Sequence, residues 1–218
     1  MKKILLSSIL LVLTHYHATA QKLDSILSKS TMSFNYGLSF DFYAKTPASG
    51  GPANSLDFRD RDQWGQIFGF EYSYRFKGKN ELGFGFSRQA HRREYNEEIQ
   101  TSLALIRFEG IVLRNTKNFH SIHWKRHLIE NKLLATVGLY NLRYRDQRVG
   151  ILGNSDQTVV NILESGINIE FGIFLGLEYY HDIRNFQVGL RSRLYYSQGA
   201  GLDSFESFEF TPVLRFKL

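Results

Sequence analysis

The chain has 218 residues and a formal net charge of +6, with 18 glycines, 18 phenylalanines, 12 tyrosines, 3 prolines and no cysteine. This length suits one domain, and the lack of cysteine excludes a disulfide framework, a thiolate metal site and a lipidated cysteine. The slightly negative mean hydropathy excludes a bundle of membrane helices, while abundant aromatics and glycine suit strands.

The first twenty residues have the three parts of a secretory leader in order. Lys2 and Lys3 form a basic start, residues 4–13 are apolar apart from Ser7 and Ser8, and Ala18-Thr19-Ala20 is a small-residue cleavage site. Cleavage is expected between Ala20 and Gln21. The apolar stretch is too short to span a bilayer as a helix. Export also argues against a nucleic-acid partner, and no basic run has nucleic-acid-binding architecture. Residues 21–32 form a lead-in on the periplasmic side. Leu23, Ile26 and Leu27 share a helical face there, so it reads as a short amphipathic helix or as disordered.

From residue 33 the period changes to two. In 33–44, Phe34, Tyr36, Leu38, Phe40 and Phe42 share one face, against Asn35, Gly37, Ser39 and Asp41. In 66–76, Phe68, Phe70, Tyr72, Tyr74 and Phe76 oppose Gly69, Glu71, Ser73 and Arg75. In 81–88, Leu82, Phe84 and Phe86 oppose Gly83, Gly85 and Ser87. Two middle segments, 101–114 and 133–145, are apolar on both faces. In the first, Ala104, Ile106, Phe108 and Val112 oppose Arg107 and Glu109. In the second, Leu134, Tyr140, Leu142 and Tyr144 are assigned to lipid, and Asn141, Arg143 and Arg145 to the interior.

The last three strands alternate clearly. Ile167 to Tyr179 sets odd-numbered apolar residues against Asn168, Glu170, Gly172, Gly176 and Glu178. Phe186 to Tyr196 sets apolar residues against Gln187, Arg191 and Arg193. Phe208, Phe210, Pro212, Leu214, Phe216 and Leu218 oppose Glu209, Thr211, Arg215 and Lys217. Tight turns are expected at 77–80 and 181–184. Longer polar loops are expected at 45–65, 89–100, 146–164 and 198–206, with a long turn at 115–131. An even number of strands puts both ends of the chain on one side.

Strands of about ten residues that alternate apolar with small or polar side chains are what a membrane barrel requires. The expected fold is therefore all-β: an eight-stranded antiparallel up-and-down transmembrane β-barrel over 33–218, after a cleaved signal peptide. Alternation alone also fits a soluble periplasmic lipocalin-like barrel with aromatics inward around an apolar ligand. Continuous aromatic faces, glycine-rich opposite faces and the leader favour the membrane.

The final strand, with apolar residues at alternate positions back from Leu218, resembles the C-terminal signal that hands barrels to the assembly machinery. It ends on Leu where Phe is usual. Pro212 lacks a donor N–H and predicts a bulge or an unpaired position. The leader ending Ala20-Gln21, the stretch Leu105-Ile-Arg-Phe-Glu-Gly-Ile-Val-Leu113 and the stretch Phe171-Gly-Ile-Phe-Leu-Gly-Leu-Glu-Tyr-Tyr180 are similar to the outer-membrane β-barrel domain family that includes PorT-like proteins. Gly110 stands where that family commonly has proline. The resemblance implies an eight-stranded barrel in a Gram-negative outer membrane, and PorT itself implies a role in secretion.

With polar faces inward, the lumen would hold Asp41, Glu71, Glu109, Glu170, Glu178 and Glu209 with Arg75, Arg107, Arg191, Arg193, Arg215 and Lys217. Eight strands leave room only for side chains, so these charges should pair into a plug. The sharper alternative is a narrow or gated ion path.

Catalytic signals are weak. His123 and His127 would share a face on a helix, but Trp124-Lys125-Arg126 replaces the metalloprotease pattern; with His120 they read as an interfacial turn. Ser87 and His91 lie ~13 Å apart along a strand and cannot form a nucleophile–base pair. Glu97 and Glu98 read as solvated charge. No phosphate-cradling loop or cofactor fingerprint is present. Loop 46–63 carries Arg59 and Arg61, a contact for a partner protein or for lipopolysaccharide phosphates.

The expected protein is non-enzymatic, without catalytic, metal or cofactor residues, and structural, binding or secretion-associated. Its partners would be outer-membrane lipid, lipopolysaccharide and, during biogenesis, the assembly machinery. A lipid-modifying outer-membrane enzyme is the alternative of a different class.

Overall fold

The computed structural model describes residues 26–42, 64–100, 105–145, 147–154, 157–164, 166–184, 186–199 and 202–218. The leader, its cleavage position and the Arg59/Arg61 loop lie outside the described residues. Ten strands follow in order: β1 (Ser30–Asp41), β2 (Trp64–Lys77), β3 (Asn80–Gln100), β4 (Leu105–Ile129), β5 (Leu133–Arg145), β6 (Gln147–Asn154), β7 (Gln157–Glu164), β8 (Asn168–Ile183), β9 (Phe186–Gly199) and β10 (Leu202–Lys217). Eight close a barrel in the order β1-β10-β9-β8-β5-β4-β3-β2, and every pairing is antiparallel. β6 and β7 form a separate two-stranded hairpin between β5 and β8.

The alternation in sequence becomes an alternation in space, because successive side chains on a strand point to opposite faces. Phe34, Tyr36, Phe68, Phe84, Phe171 and Leu175 point outward and are exposed. Asn35, Glu71, Gln89, Glu178, Arg191 and Glu209 point inward and are buried. A soluble barrel would reverse this, so the aromatic-interior reading is overturned. An apolar exterior around a charged interior is the arrangement of a membrane-spanning barrel.

Three tight turns lie at the end that holds both described chain ends, where the Leu218 amide donates to the Ser30 carbonyl at 3.0 Å. Gly78 (φ 54°) serves the β2–β3 turn, Asn131 (φ 55°) the β4–β5 turn and Arg184 (φ 52°) the β8–β9 turn. Left-handed backbone suits Gly and Asn and is uncommon for Arg.

The structure corrects several expected boundaries. The long turn at 115–131 is strand: β4 runs unbroken to Ile129, and its turn is only 130–132. The loop at 89–100 is also strand, since β3 pairs with β4 as far as Gln100↔Leu105. β2 and β5 stop pairing with these strands at Ala90 and Thr116, so the β3–β4 ribbon continues past the barrel wall. The loop at 146–164 is the β6–β7 hairpin. The loop at 198–206 is mostly strand, with an irregularity between Phe205 and Ser207.

The facing of β5 is the reverse of the expected one. Leu134, Tyr140, Leu142 and Tyr144 are buried in the lumen, while Arg143 and Arg145 point outward and are exposed. The register decides this: Leu142 pairs with Phe119 on β4 and with Glu170 on β8, both on inward-facing positions. Charge alone suggested an interior position, but the two arginines lie at the strand's far end, where an outward charge meets headgroups and water.

Pro212 sits in a local gap. The β1–β10 pairs run to Asn35↔Val213 and resume at Leu38↔Phe210 in the same register, leaving Tyr36 and Gly37 without ladder partners on β10, although both pair with β2. On the β9 side Pro212 still pairs with Leu190.

Candidate functional site

The lumen is best followed along β4, whose inward side chains sample each level. From the turn end they are His127, Lys125, His123, Ser121, Phe119 and Lys117.

At the level of His127, Glu81 is the hub. Arg215 donates to it at 2.6 and 2.7 Å, and the His127 ring nitrogen Nε2 lies 2.6 Å away. Arg75 is 3.7 Å from Glu81 and bonds outward to Glu130 at 3.0 Å. Arg215 also donates to Thr31 at 3.1 Å.

At the level of Lys125, two carboxylates share three cations. Lys125 Nζ donates to Glu71 at 2.8 Å and to Glu178 at 2.9 Å. Arg191 bonds Glu71 at 2.8 Å and Glu178 at 3.0 Å, and places its remaining donor on Asn35 at 3.0 Å. Arg193 bonds both carboxylates, the Glu178 contact at 2.7 Å. Tyr180 donates to Glu178 at 2.9 Å and Tyr195 to Glu209 at 3.0 Å. These strands supply the cluster because Glu71, Lys125, Glu178, Arg191 and Arg193 all occupy inward positions at matching registers.

Above it lies an aromatic layer of Phe119, Tyr140, Leu142, Tyr144, Phe174 and Tyr195. The Phe119 and Tyr195 ring centroids are 4.7 Å apart, and the Arg193 guanidinium sits 4.8 Å over Phe174, joining the two layers. Glu170 accepts from Tyr144 at 2.8 Å at the edge of this layer.

At the far end Lys117 bonds Asp41 at 2.8 Å and Glu206 at 2.6 Å. β4 and β10 are four strands apart around the ring of eight, so the Lys117–Glu206 bond crosses the lumen's full width. Ser197 donates to Glu206 at 3.0 Å, and Gln89 reaches Ser207 at 3.0 Å.

Of the residues picked from sequence, Glu71, Glu178, Arg191, Arg193 and Glu209 meet in one cluster. Asp41, Arg75, Arg215 and Glu170 join other levels. Lys217 is half exposed at the turn end, 3.2 Å from Asp182. The side chains of Glu109 and Arg107 lie outside the described residues. Sequence reasoning missed Glu81, Lys117, Lys125, His127 and Glu206. Lys117, Lys125 and His127 were hidden in the presumed turn and Glu206 in a presumed loop. Continuing the strict alternation of 82–88 back by one residue would have placed Glu81 inward.

Glycines let side chains meet across an intervening strand. Ser39 on β1 and His91 on β3 approach to 3.5 Å over Gly65, where a Cβ would meet the His91 ring at 2.6 Å. Ser73 and His123 approach to 3.4 Å over Gly83 in the same way. These are the nearest approach to a nucleophile–base arrangement that the described lumen offers. Ser39 is fully buried and faces the lumen.

The histidine turn is corrected with the turn itself. His123 and His127 are strand residues ~13 Å apart along β4. His120 faces outward against Phe86 at 5.2 Å. Among the described residues, no group of three or more His, Cys, Asp or Glu side chains is placed to hold a metal ion.

No family model matches the chain, and no curated protein matches it. Solved structures of similar fold include Neisserial surface protein A, at 11% identity and a TM-score of 0.47, covering 88% of this chain and 98% of that one. The outer membrane protein Ail of Yersinia pestis is 15% identical with a TM-score of 0.46, covering 87% and 99%. The outer membrane protease OmpT of Escherichia coli is 8% identical with a TM-score of 0.42, covering 87% and 96%.

Proposed function

We propose that the chain is an integral outer-membrane β-barrel, non-enzymatic, whose lumen is closed by its own side chains and whose work is done by its outer surfaces. The observation that carries this reading is the stack of ion pairs spanning the lumen at three levels inside an apolar exterior. A buried charge without a partner is costly, and the pairing of these six buried carboxylates with five buried Lys and Arg side chains supports a closed lumen over an ion path. In this reading the tight turns face the periplasm, while the β3–β4 ribbon and the β6–β7 hairpin stand outside the cell. Partners would be lipid, the assembly machinery during insertion, and a protein engaging the external segments, including one in secretion as the PorT-like resemblance implies.

The test is membrane fractionation, gel mobility with and without boiling, and planar-bilayer recording of the extracted protein. The expected result is an outer-membrane band whose mobility shifts on heating and no stable conductance steps. Recovery in the soluble periplasm would overturn the location. Steady open-channel currents would overturn the plug.

A further inference from the structure

The barrel's exterior is not uniform at its far end. On β2, β9 and β10, and just after β1, the outward residues there include the aromatics Trp64, Tyr196, Phe205 and Phe42. On three adjacent strands, β3, β4 and β5, they include five arginines, set among Ala90, Thr116 and Asn118. Arg88, Arg92, Arg114, Arg143 and Arg145 are all exposed and all on outward-facing positions.

Register places them together. Arg92 lies directly opposite Arg114, and Arg88 and Arg143 flank the shared partner Asn118. Arg145 pairs with Thr116, two residues along β4 from Arg114. Strand spacing puts Arg88 and Arg143 ~10 Å apart at the backbone, well within the reach of two arginine side chains towards one ligand. Like charges directly opposite in a strand pair are destabilising, so the Arg92–Arg114 pair calls for a counter-charge. Glu164 lies 3.9 Å from Arg145 at the rim of this patch.

Immediately below, the outward positions of the same strands are strongly apolar. Ile122, Leu139 and the neighbouring Phe171 on β8 are 65–68% exposed, with Phe84 beside them. The surface therefore has five forked cations above a column of bare hydrocarbon, with no polar break between them except His120 and Asn141.

We infer that this face is a binding site for a phosphorylated lipid of the outer leaflet, with its phosphates on the arginines and its acyl chains on the apolar column. The guanidinium fork matches a phosphate in a bidentate way that a lysine cannot. Continuity with the apolar column selects a lipid over a free anion or an acidic protein. The inference rests on the outer-membrane reading proposed above and adds a place and a ligand class to it.

The test is native mass spectrometry of the full mature chain, extracted in mild detergent. It would be titrated with bisphosphorylated lipid A, with its dephosphorylated form and with phosphatidylethanolamine. Wild-type protein should retain bisphosphorylated lipid A about tenfold better than either control, and the triple variant R88Q/R114Q/R143Q should lose that preference. The three arginines are exposed, and a heat-modifiable band verifies that the variant is folded. Equal retention of phosphorylated and dephosphorylated lipid by the wild type would overturn the site without any variant. So would an unchanged preference in the folded triple variant, or displacement of the lipid by millimolar inorganic phosphate. Fractionation of the wild-type protein is read separately, so failure of the outer-membrane location is distinguishable from failure of this site.

Discussion

Two neighbouring layers of the lumen are held by different physics. The charge layer of Glu71, Glu178, Lys125, Arg191 and Arg193 is directional: each carboxylate answers several donors, and removing one leaves cations buried without a partner. The aromatic layer of Phe119, Tyr140, Leu142, Phe174 and Tyr195 is held by contact area and ring geometry, which adjust when one member changes. The lower layer should therefore fail abruptly and the upper layer gradually.

The largest effect should come from Glu178→Gln, which leaves Lys125 and Arg191 to Glu71, and Arg193 to Glu71 and Glu209. Loss of about 3–5 kcal/mol is expected, read as a lower urea midpoint for the unboiled-mobility band. Gly172→Ala probes the aromatic layer by overfilling it, since a Cβ there would run into the Tyr140 ring and the Tyr196 carbonyl. A loss of about 1–3 kcal/mol is expected by the same assay. Leu142→Met keeps the volume of the upper layer and should lower stability by less than about 1.5 kcal/mol. Were it as damaging as Glu178→Gln, the distinction between the layers would collapse. The smallest change belongs to Arg145→Gln, which removes the exposed pair with Glu164 and should move stability by no more than about 0.5 kcal/mol.

The same contrast explains what could be read from the sequence. The charge layer was legible wherever the opposite face was continuously apolar, as on β8 and β9, because alternation then fixes which residues turn inward. Glu178, Arg191 and Arg193 were found that way. The aromatic layer was not legible, because it makes β5 apolar on both faces. Leu134, Tyr140 and Leu142 were then assigned to lipid, although register holds them in the lumen. β4 hid its residues for the opposite reason. Thr116, Asn118 and His120 are polar on its outward face, so 115–131 lost the membrane signature and read as a turn. Lys117, Lys125 and His127 went unseen with it. The polar outward residues that obscured that strand belong to the same surface as the arginine patch.

The gap beside Pro212 has a consequence for how the barrel closes. Seven of the eight barrel junctions join strands that are neighbours along the chain, allowing for the β6–β7 hairpin, and each can form as a local hairpin. The eighth joins residues 31–41 to 207–217 and must bring together the first and last strands of the barrel. That contact carries the greatest loop-closure entropy, and it is also the junction with two ladder positions unmade. Closure is thus both the slowest contact to find and the least tightly zipped once found. The wall opposite can be complete before the first and last strands meet, leaving an open-sided sheet whose final act is to become a ring.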